Sequence, residues 1–228
     1  MTTKGGHTEG RLRARPLGLS RAVSASPPPP VPERGDFLMR VPTTYRPGSP
    51  TPLTVMLHGA SGRAEDILAL PEGLAERTGL ILLAPNSRGY TWDVLLGGYG
   101  PDVAAIDRAL QWTFSSHAVD PARVAIGGFS DGASYALSLG LTNGDLFTHV
   151  LAFSPGFTAP ARRVGSPRIF VSHGTRDAVL PIDLCSRRIV PTLQRTGYDV
   201  AYREFDGGHA VPPKIVHDAA NWFATDGG

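Results

Sequence analysis

From residue 36 onward, short and nearly unbroken apolar runs recur along the chain, each closed by glycine, proline or a polar residue. They are "DFLMRVP", "LTVMLHG", "LILLAPN", "RVAIGGFS", "HVLAFSPG", "RIFVSHG" and "VAYREFD". Most lack the strict alternation of a half-exposed strand, so they predict strands covered on both faces. The stretches between them carry helical spacing: Ala64–Arg77, Gly100–Ser116, Gly132–Gly140, Leu184–Gly197 and Pro213–Phe223. In the second of these, Val103, Ile106, Leu110 and Phe114 keep close to a 3.6-residue period. Strands alternating with helices predict an α/β fold, a mainly parallel central sheet flanked by helices. Chemistry in such sheets gathers at the carboxyl ends of the strands.

Residues 1–35 break this pattern and read as a basic, Pro-rich segment ahead of one α/β domain over 36–228. "SASPPPPVPERG" predicts a polyproline-type linker, whereas "RLRAR" has the alternation of an edge strand. Residues 1–50 hold Lys4 and seven arginines against Glu9, Glu33 and Asp36, a net of +5 in a chain whose total is +2. The arginines are scattered among Pro and Gly with no interleaved aromatics, which predicts no nucleic-acid partner. No apolar run approaches the roughly 20 residues that span a bilayer, so no stable membrane insertion is expected. The basic start is followed by no apolar stretch, which predicts no secretory leader and a cytoplasmic chain. A homodimer is left open. The lone Cys185 rules out an internal disulfide and a cysteine zinc site, and HExxH is absent, so no metal is expected.

Three strand ends carry a serine, an acid and a histidine. "RVAIGGFS" delivers Ser130 inside Gly128-Phe129-Ser130-Asp131-Gly132, between a strand and a small-residue helix. A bare GxSxG is a weak signal, but this context is what a nucleophile elbow requires. A serine on so tight a turn leaves no room for a Cβ at its flanking glycines. A hydroxyl needs an imidazole base at neutral pH, and in elbow-type sites that base comes last in the chain. His209 and His217 remain; His217 lies in the helical "KIVHDAANWF", whereas His209 follows Gly207-Gly208 in a loop. His209 is the choice. For the orienting acid, Asp177 leaves a strand end after "HGTR", with Asp206 as the alternative. Oxyanion donors come from the residue after the nucleophile, Asp131, and from the loop "HGASG", at Ala60.

"VMLHGASG", "GGFSDGASYAL", "VSHGTRDAVLP" and "FDGGHAVPP" together resemble the α/β-hydrolase superfamily, and most closely its small phospholipase/carboxylesterase branch, which includes acyl-protein thioesterases. The stretch from Gly100 to Gly132 is also similar to polyhydroxybutyrate-depolymerase-like and feruloyl-type esterases. The resemblance runs from Asp36 to Phe223, with its four motifs in the family's order. It implies the α/β-hydrolase fold, a Ser130–His209–Asp177 triad, oxyanion amides at Ala60 and Asp131, a small-molecule ester substrate and no cofactor. The implied activity is hydrolysis of carboxylic esters with a small to medium acyl chain, through an acyl-enzyme. Thioesterase or lysophospholipase activity on the same triad is the alternative, and a binding protein without turnover is a third reading.

Many relatives carry "GFSQGG" or "GLSNGG", where this chain has Asp131-Gly132-Ala133. A carboxylate there opposes developing negative charge unless it turns away. The interval between Gly156 and Pro167 is too short for a large lid domain. Trp92 and Phe157 follow strand ends and are the candidate walls of a substrate pocket.

Overall fold

The computed structural model describes residues 5–16, 35–71 and 73–225. After a single turn, α1 (Gly5–Thr8), come the antiparallel edge strand β1 (Phe37–Arg40) and β2 (Thr51–Leu57). Helices α2 (Ala64–Ala69) and α3 (Leu74–Thr78) lead to β3 (Ile81–Pro85). Next are α4 (Pro101–Ser116), β4 (Val119–Phe129), α5 (Asp131–Thr142), β5 (His149–Phe153) and β6 (Arg168–Gly174). The chain closes with α6 (Ser186–Arg195), β7 (Val200–Phe205) and α7 (Pro213–Thr225). The strand order is β1-β3-β2-β4-β5-β6-β7, and every pairing except β1 with β3 is parallel.

All seven predicted strands are present. The expected helix over 64–77 is divided, because Pro71 has no N–H to continue the hydrogen-bond ladder and the chain restarts at Leu74. One apolar layer joins α4, α5 and α6 to the sheet through Ile106, Leu110, Leu137 and Leu193. The other packs Ile67 and Leu68 of α2 and Ile215 and Phe223 of α7 on the opposite face. Two-sided cover explains why β3 and β5 are apolar at nearly every position. Helix α5 is buried almost throughout, which accounts for its small residues: a Cβ on Gly140 would come within 2.4 Å of Val150 Cγ2. Its hydroxyls are satisfied within the helix, Ser138 donating to the Ser134 carbonyl and Thr142 to that of Ser138.

Residues 11–16 do not pair with the sheet, contrary to the edge-strand expectation. Side chains of α4 and of the residue capping α5 take their backbone amides instead. Buried Asp107 Oδ1 accepts the N–H groups of Arg13 and Ala14 at 2.7 and 2.8 Å. Asn143 accepts the Leu12 N–H at 2.9 Å and donates to the Gly10 carbonyl. Leu12 and Ala14 are buried in the α4–α5 layer, and Arg11 and Arg15 both pair with Asp145. Part of the basic charge near the N-terminus is therefore matched within the molecule. The predicted linker over 24–35 lies almost wholly outside the described residues. Replacing Asp107 by alanine is expected to lower stability by about 1–3 kcal/mol, because two amides lose a charged acceptor. Thermal unfolding with limited proteolysis around Arg11–Arg15 checks this; an unchanged midpoint and digestion pattern would contradict it.

Candidate active site

Ser130 stands between β4 and α5 with φ 57° and ψ −119°, one of three non-glycine residues with positive φ among those described. The turn is held because the Ser130 N–H donates to the Phe153 carbonyl at 2.9 Å. Both motif glycines are sterically required. A Cβ on Gly128 would lie 2.5 Å from Gly132 backbone atoms, and one on Gly132 would lie 2.2 Å from the Leu57 carbonyl oxygen. The sharp turn thus depends on close approach to the end of β2, the strand that carries the next loop.

The structure brings Ser130, His209 and Asp177 into one line. His209 Nδ1 lies 2.6 Å from Asp177 Oδ2, and its Nε2 lies 2.9 Å from Ser130 Oγ. With Nδ1–H donating to the carboxylate, Nε2 accepts the Ser130 hydroxyl. Asp177 Oδ1 receives the N–H groups of Val179 and Leu180 at 2.9 and 2.8 Å. Burial pushes this carboxyl up, but the Leu180 amide, His209 and the Val179 amide together hold it below its ordinary range. The histidine loop reaches this position because β6 ends in glycine: a Cβ on Gly174 would meet the Gly208 carbonyl oxygen at 2.3 Å. The alternatives fall away from the site. Asp206 pairs with Arg176 at the surface, and His217 is exposed on α7 beside Arg77.

The loop after β2 passes against the serine, since a Cβ on Gly59 would come within 3.4 Å of Ser130 Cβ. Among the described residues no acceptor takes the Ala60 or the Asp131 amide, so both are available to a ligand oxygen. The Asp131 carboxylate turns toward Thr91, whose hydroxyl donates to Oδ2 at 2.7 Å. The Ser87 amide donates to His58 Nε2 at 3.1 Å, which leaves Nδ1–H to donate to the Gly59 carbonyl at 2.8 Å. Burial lowers the His58 pKa, in keeping with this neutral tautomer.

Trp92 does not wall a pocket. It is 0% exposed, donates Nε1–H to the His58 carbonyl at 2.8 Å and stacks on Tyr135 with centroids 5.2 Å apart. An indole inside the chain's main apolar layer supports the Ala60 loop from below instead of meeting a ligand. Phe157 is half-buried in the loop after β5. That loop is tied to α5, where Ser134 Oγ accepts the Gly156 amide and Ser138 Oγ the Ala159 amide. Phe129 has a role that its sequence position did not reveal: its ring packs on the His209 imidazole with centroids 4.7 Å apart. A polar cavity of about 250 Å³ lies between the loops after β2 and β3, lined by His58, Ser61, Arg63, Asn86, Ser87 and Tyr90. The connection from β5 to β6, residues 154–167, contains no helix, so no lid domain is inserted there. Among the described residues no group of three or more His, Cys, Asp or Glu could hold a metal ion.

The sequence pattern of the family described as Phospholipase/Carboxylesterase matches residues 104–226, over half of the chain. This chain belongs to that family. The phospholipase/carboxylesterase assignment makes it a carboxylic-ester hydrolase, and the matched span contains Ser130, Asp177 and His209. Solved structures agree on the fold. Esterase PE8 superposes with a TM-score of 0.67 at 24% identity, covering 84% of this chain and 97% of its own. The Bacillus cereus carboxylesterase gives 0.67 at 16%, over 85% and 95%. The thermophilic esterase Est2 of Thermogutta terrifontis, solved with propionate, gives 0.69 at 17%, over 84% and 89%. No curated protein matches the chain. For this family member, no helix among the described residues is long and apolar enough to cross a membrane.

Proposed function

We propose that this phospholipase/carboxylesterase family member hydrolyses small-molecule carboxylic esters by a serine mechanism, with Ser130 as nucleophile, His209 as base and then acid, and Asp177 as the group that orients His209. One observation carries the reading: the unbroken path from Asp177 through His209 to Ser130, at 2.6 and 2.9 Å, with the serine on a positive-φ turn. Ser130 Oγ attacks the ester carbonyl carbon as its proton passes to His209 Nε2. The carbonyl oxygen becomes an oxyanion between the Ala60 and Asp131 amides, where preorganised donors stabilise it. Asp131 carries its charge toward Thr91, which leaves its amide free to serve. The tetrahedral carbon then expels the alkoxide, which takes the proton from His209 and leaves as the alcohol. Water, deprotonated by His209, attacks the acyl-enzyme through a second oxyanion; Ser130 recovers its proton and the carboxylic acid departs.

On this reading the polar cavity lined by His58 and Ser61 takes the alcohol side of the ester, and half-buried Phe157 is the candidate contact for a small to medium acyl chain. A series of p-nitrophenyl esters from C2 to C16 tests it, with the matched thioester alongside. The expected result is a kcat/KM maximum at short to medium chains and slower turnover of the thioester. A C16 optimum, or a thioester preferred over its ester, would contradict this assignment of substrate.

A further inference from the structure

A second histidine lies behind the proposed triad and takes no part in the mechanism above. His173, the penultimate residue of β6, has no exposed surface. Its Nε2 is 2.8 Å from the Leu180 carbonyl oxygen and 3.3 Å from Asp177 Oδ2, the oxygen that receives His209. Its Nδ1 is 2.6 Å from Ser186 Oγ, itself wholly buried at the start of α6. Chemistry fixes the proton. A carbonyl can only accept, so Nε2 carries the hydrogen, and Nδ1 accepts the Ser186 hydroxyl.

Leu180 joins the two halves of this arrangement. Its carbonyl receives the His173 N–H, and its own amide donates to Asp177 Oδ1 at 2.8 Å. His173 therefore reaches the carboxylate twice, once through the turn that cradles Oδ1 and once directly across from Oδ2. We propose that His173 is a positioning residue of the triad: its ring, set by Ser186, fixes the Asp177–Leu180 turn and shares its Nε2 proton with Asp177 Oδ2, thereby setting how strongly that carboxylate acts on His209. The inference rests on the serine-hydrolase reading of the site.

The charge environment is consistent with a neutral ring. Burial lowers the His173 pKa, against the raising influence of the Leu180 carbonyl and of Asp177. The charged and titratable groups that act on it are Asp177 and His209 from the two loops and Glu204, its register partner on β7, while the Cys185 thiol before α6 is coupled to Asp177. Glu204 is paired with Arg187 at 2.7 Å, so among the described residues Asp177 is the carboxylate in contact with the ring. A donor at an anionic oxygen disperses its charge. Without that donor the carboxylate concentrates its attraction on His209 and favours the imidazolium, so the acid limb of the pH–rate profile moves to higher pH.

A purely structural histidine would make a different prediction, because its loss would lower the folded fraction and leave the profile of the remaining enzyme in place. The test uses the full chain with His173→Leu, His173→Gln and Ser186→Ala. Each is measured for unfolding midpoint, for active fraction by fluorophosphonate titration, and for kcat and KM on one p-nitrophenyl ester across pH 5–9. Per active site, His173→Leu is expected to lose about 10–100-fold in kcat, less than a change at Asp177 itself because His173 acts only through that carboxylate, with KM nearly constant. Its acid-limb midpoint is expected to rise by several tenths of a pH unit. His173→Gln, which restores an N–H donor that cannot titrate, is expected to recover most of the loss, and Ser186→Ala to fall between. Wild-type kcat and midpoint per active site in His173→Leu would overturn the proposal. If that variant does not fold, wild-type values in Ser186→Ala would do the same. A wild-type enzyme that takes no label at Ser130 would instead overturn the serine reading beneath it.

Discussion

Replacing Ser130 by alanine is expected to lower kcat by about 10³-fold or more on any ester the wild type turns over. The size follows from the position of the hydroxyl. Ser130 Oγ lies 2.9 Å from His209 Nε2, and Gly59, the residue before the proposed oxyanion donor Ala60, passes against Ser130. Without the oxygen no covalent step occurs, and what remains is the contribution of the oxyanion amides and of binding. Stability should change little. The lost hydroxyl makes a single hydrogen bond to a half-buried imidazole, and the positive-φ turn is imposed by close approach at Gly128 and Gly132. An unfolding midpoint near that of the wild type, measured beside kcat, separates chemistry from folding. A variant that keeps more than about a tenth of the wild-type kcat would be incompatible with a serine nucleophile.

Asp177→Asn is expected to be about as damaging, on the order of 10⁴-fold in kcat, although it removes no atom from contact with substrate. The amide would have to place its oxygen at Oδ1, because the Val179 and Leu180 N–H groups both point there. Its NH₂ group would then face His209 Nδ1. A donor at that position turns Nδ1 into an acceptor and puts the imidazole hydrogen on Nε2, pointing at Ser130, so the base is lost through the wrong tautomer. The same NH₂ would also oppose the His173 Nε2–H at the 3.3 Å contact. The substitution has a stability signature as well. Folded Asp177 lies below the ordinary carboxylate value, so its contribution is complete above the unfolded value of about 3.9 and is lost as pH falls through the folded one. Wild type should therefore lose more stability than Asp177→Asn on acidification from pH 5 to pH 3, read as the difference in unfolding midpoint. Equal acid sensitivity would contradict the depressed carboxyl, and retained kcat would contradict its role.

Why so much of this was legible in the chain is a matter of burial. The seven strands announce themselves because a sheet covered on both faces tolerates few polar side chains, as β3 and β5 show. Ser130, Asp177 and His209 could be ordered along the chain because each stands within a few residues of a strand end and of a glycine that the local turn needs. Other features depend on partners remote in sequence. Asp131 is half-buried because Thr91, 40 residues earlier, holds its carboxylate, and no local pattern encodes that. Trp92 follows a strand end like a pocket residue, yet its N–H is taken by the His58 carbonyl under the Ala60 loop. The anchoring of residues 11–16 did leave a trace. Asp107 sits one residue after Ile106 and four after Val103, on the buried side of α4, and a carboxylate there requires donors brought from elsewhere.

The most direct measurement of the central claim is covalent labelling. The full chain is treated with a fluorophosphonate and the modified peptide is identified by mass spectrometry, with Ser130→Ala and His209→Ala in parallel. One adduct per chain at Ser130, absent from Ser130→Ala and slowed at least about 10³-fold in His209→Ala, is the predicted result. A wild-type chain that hydrolyses esters while taking no label, or taking it at another residue, would contradict the account.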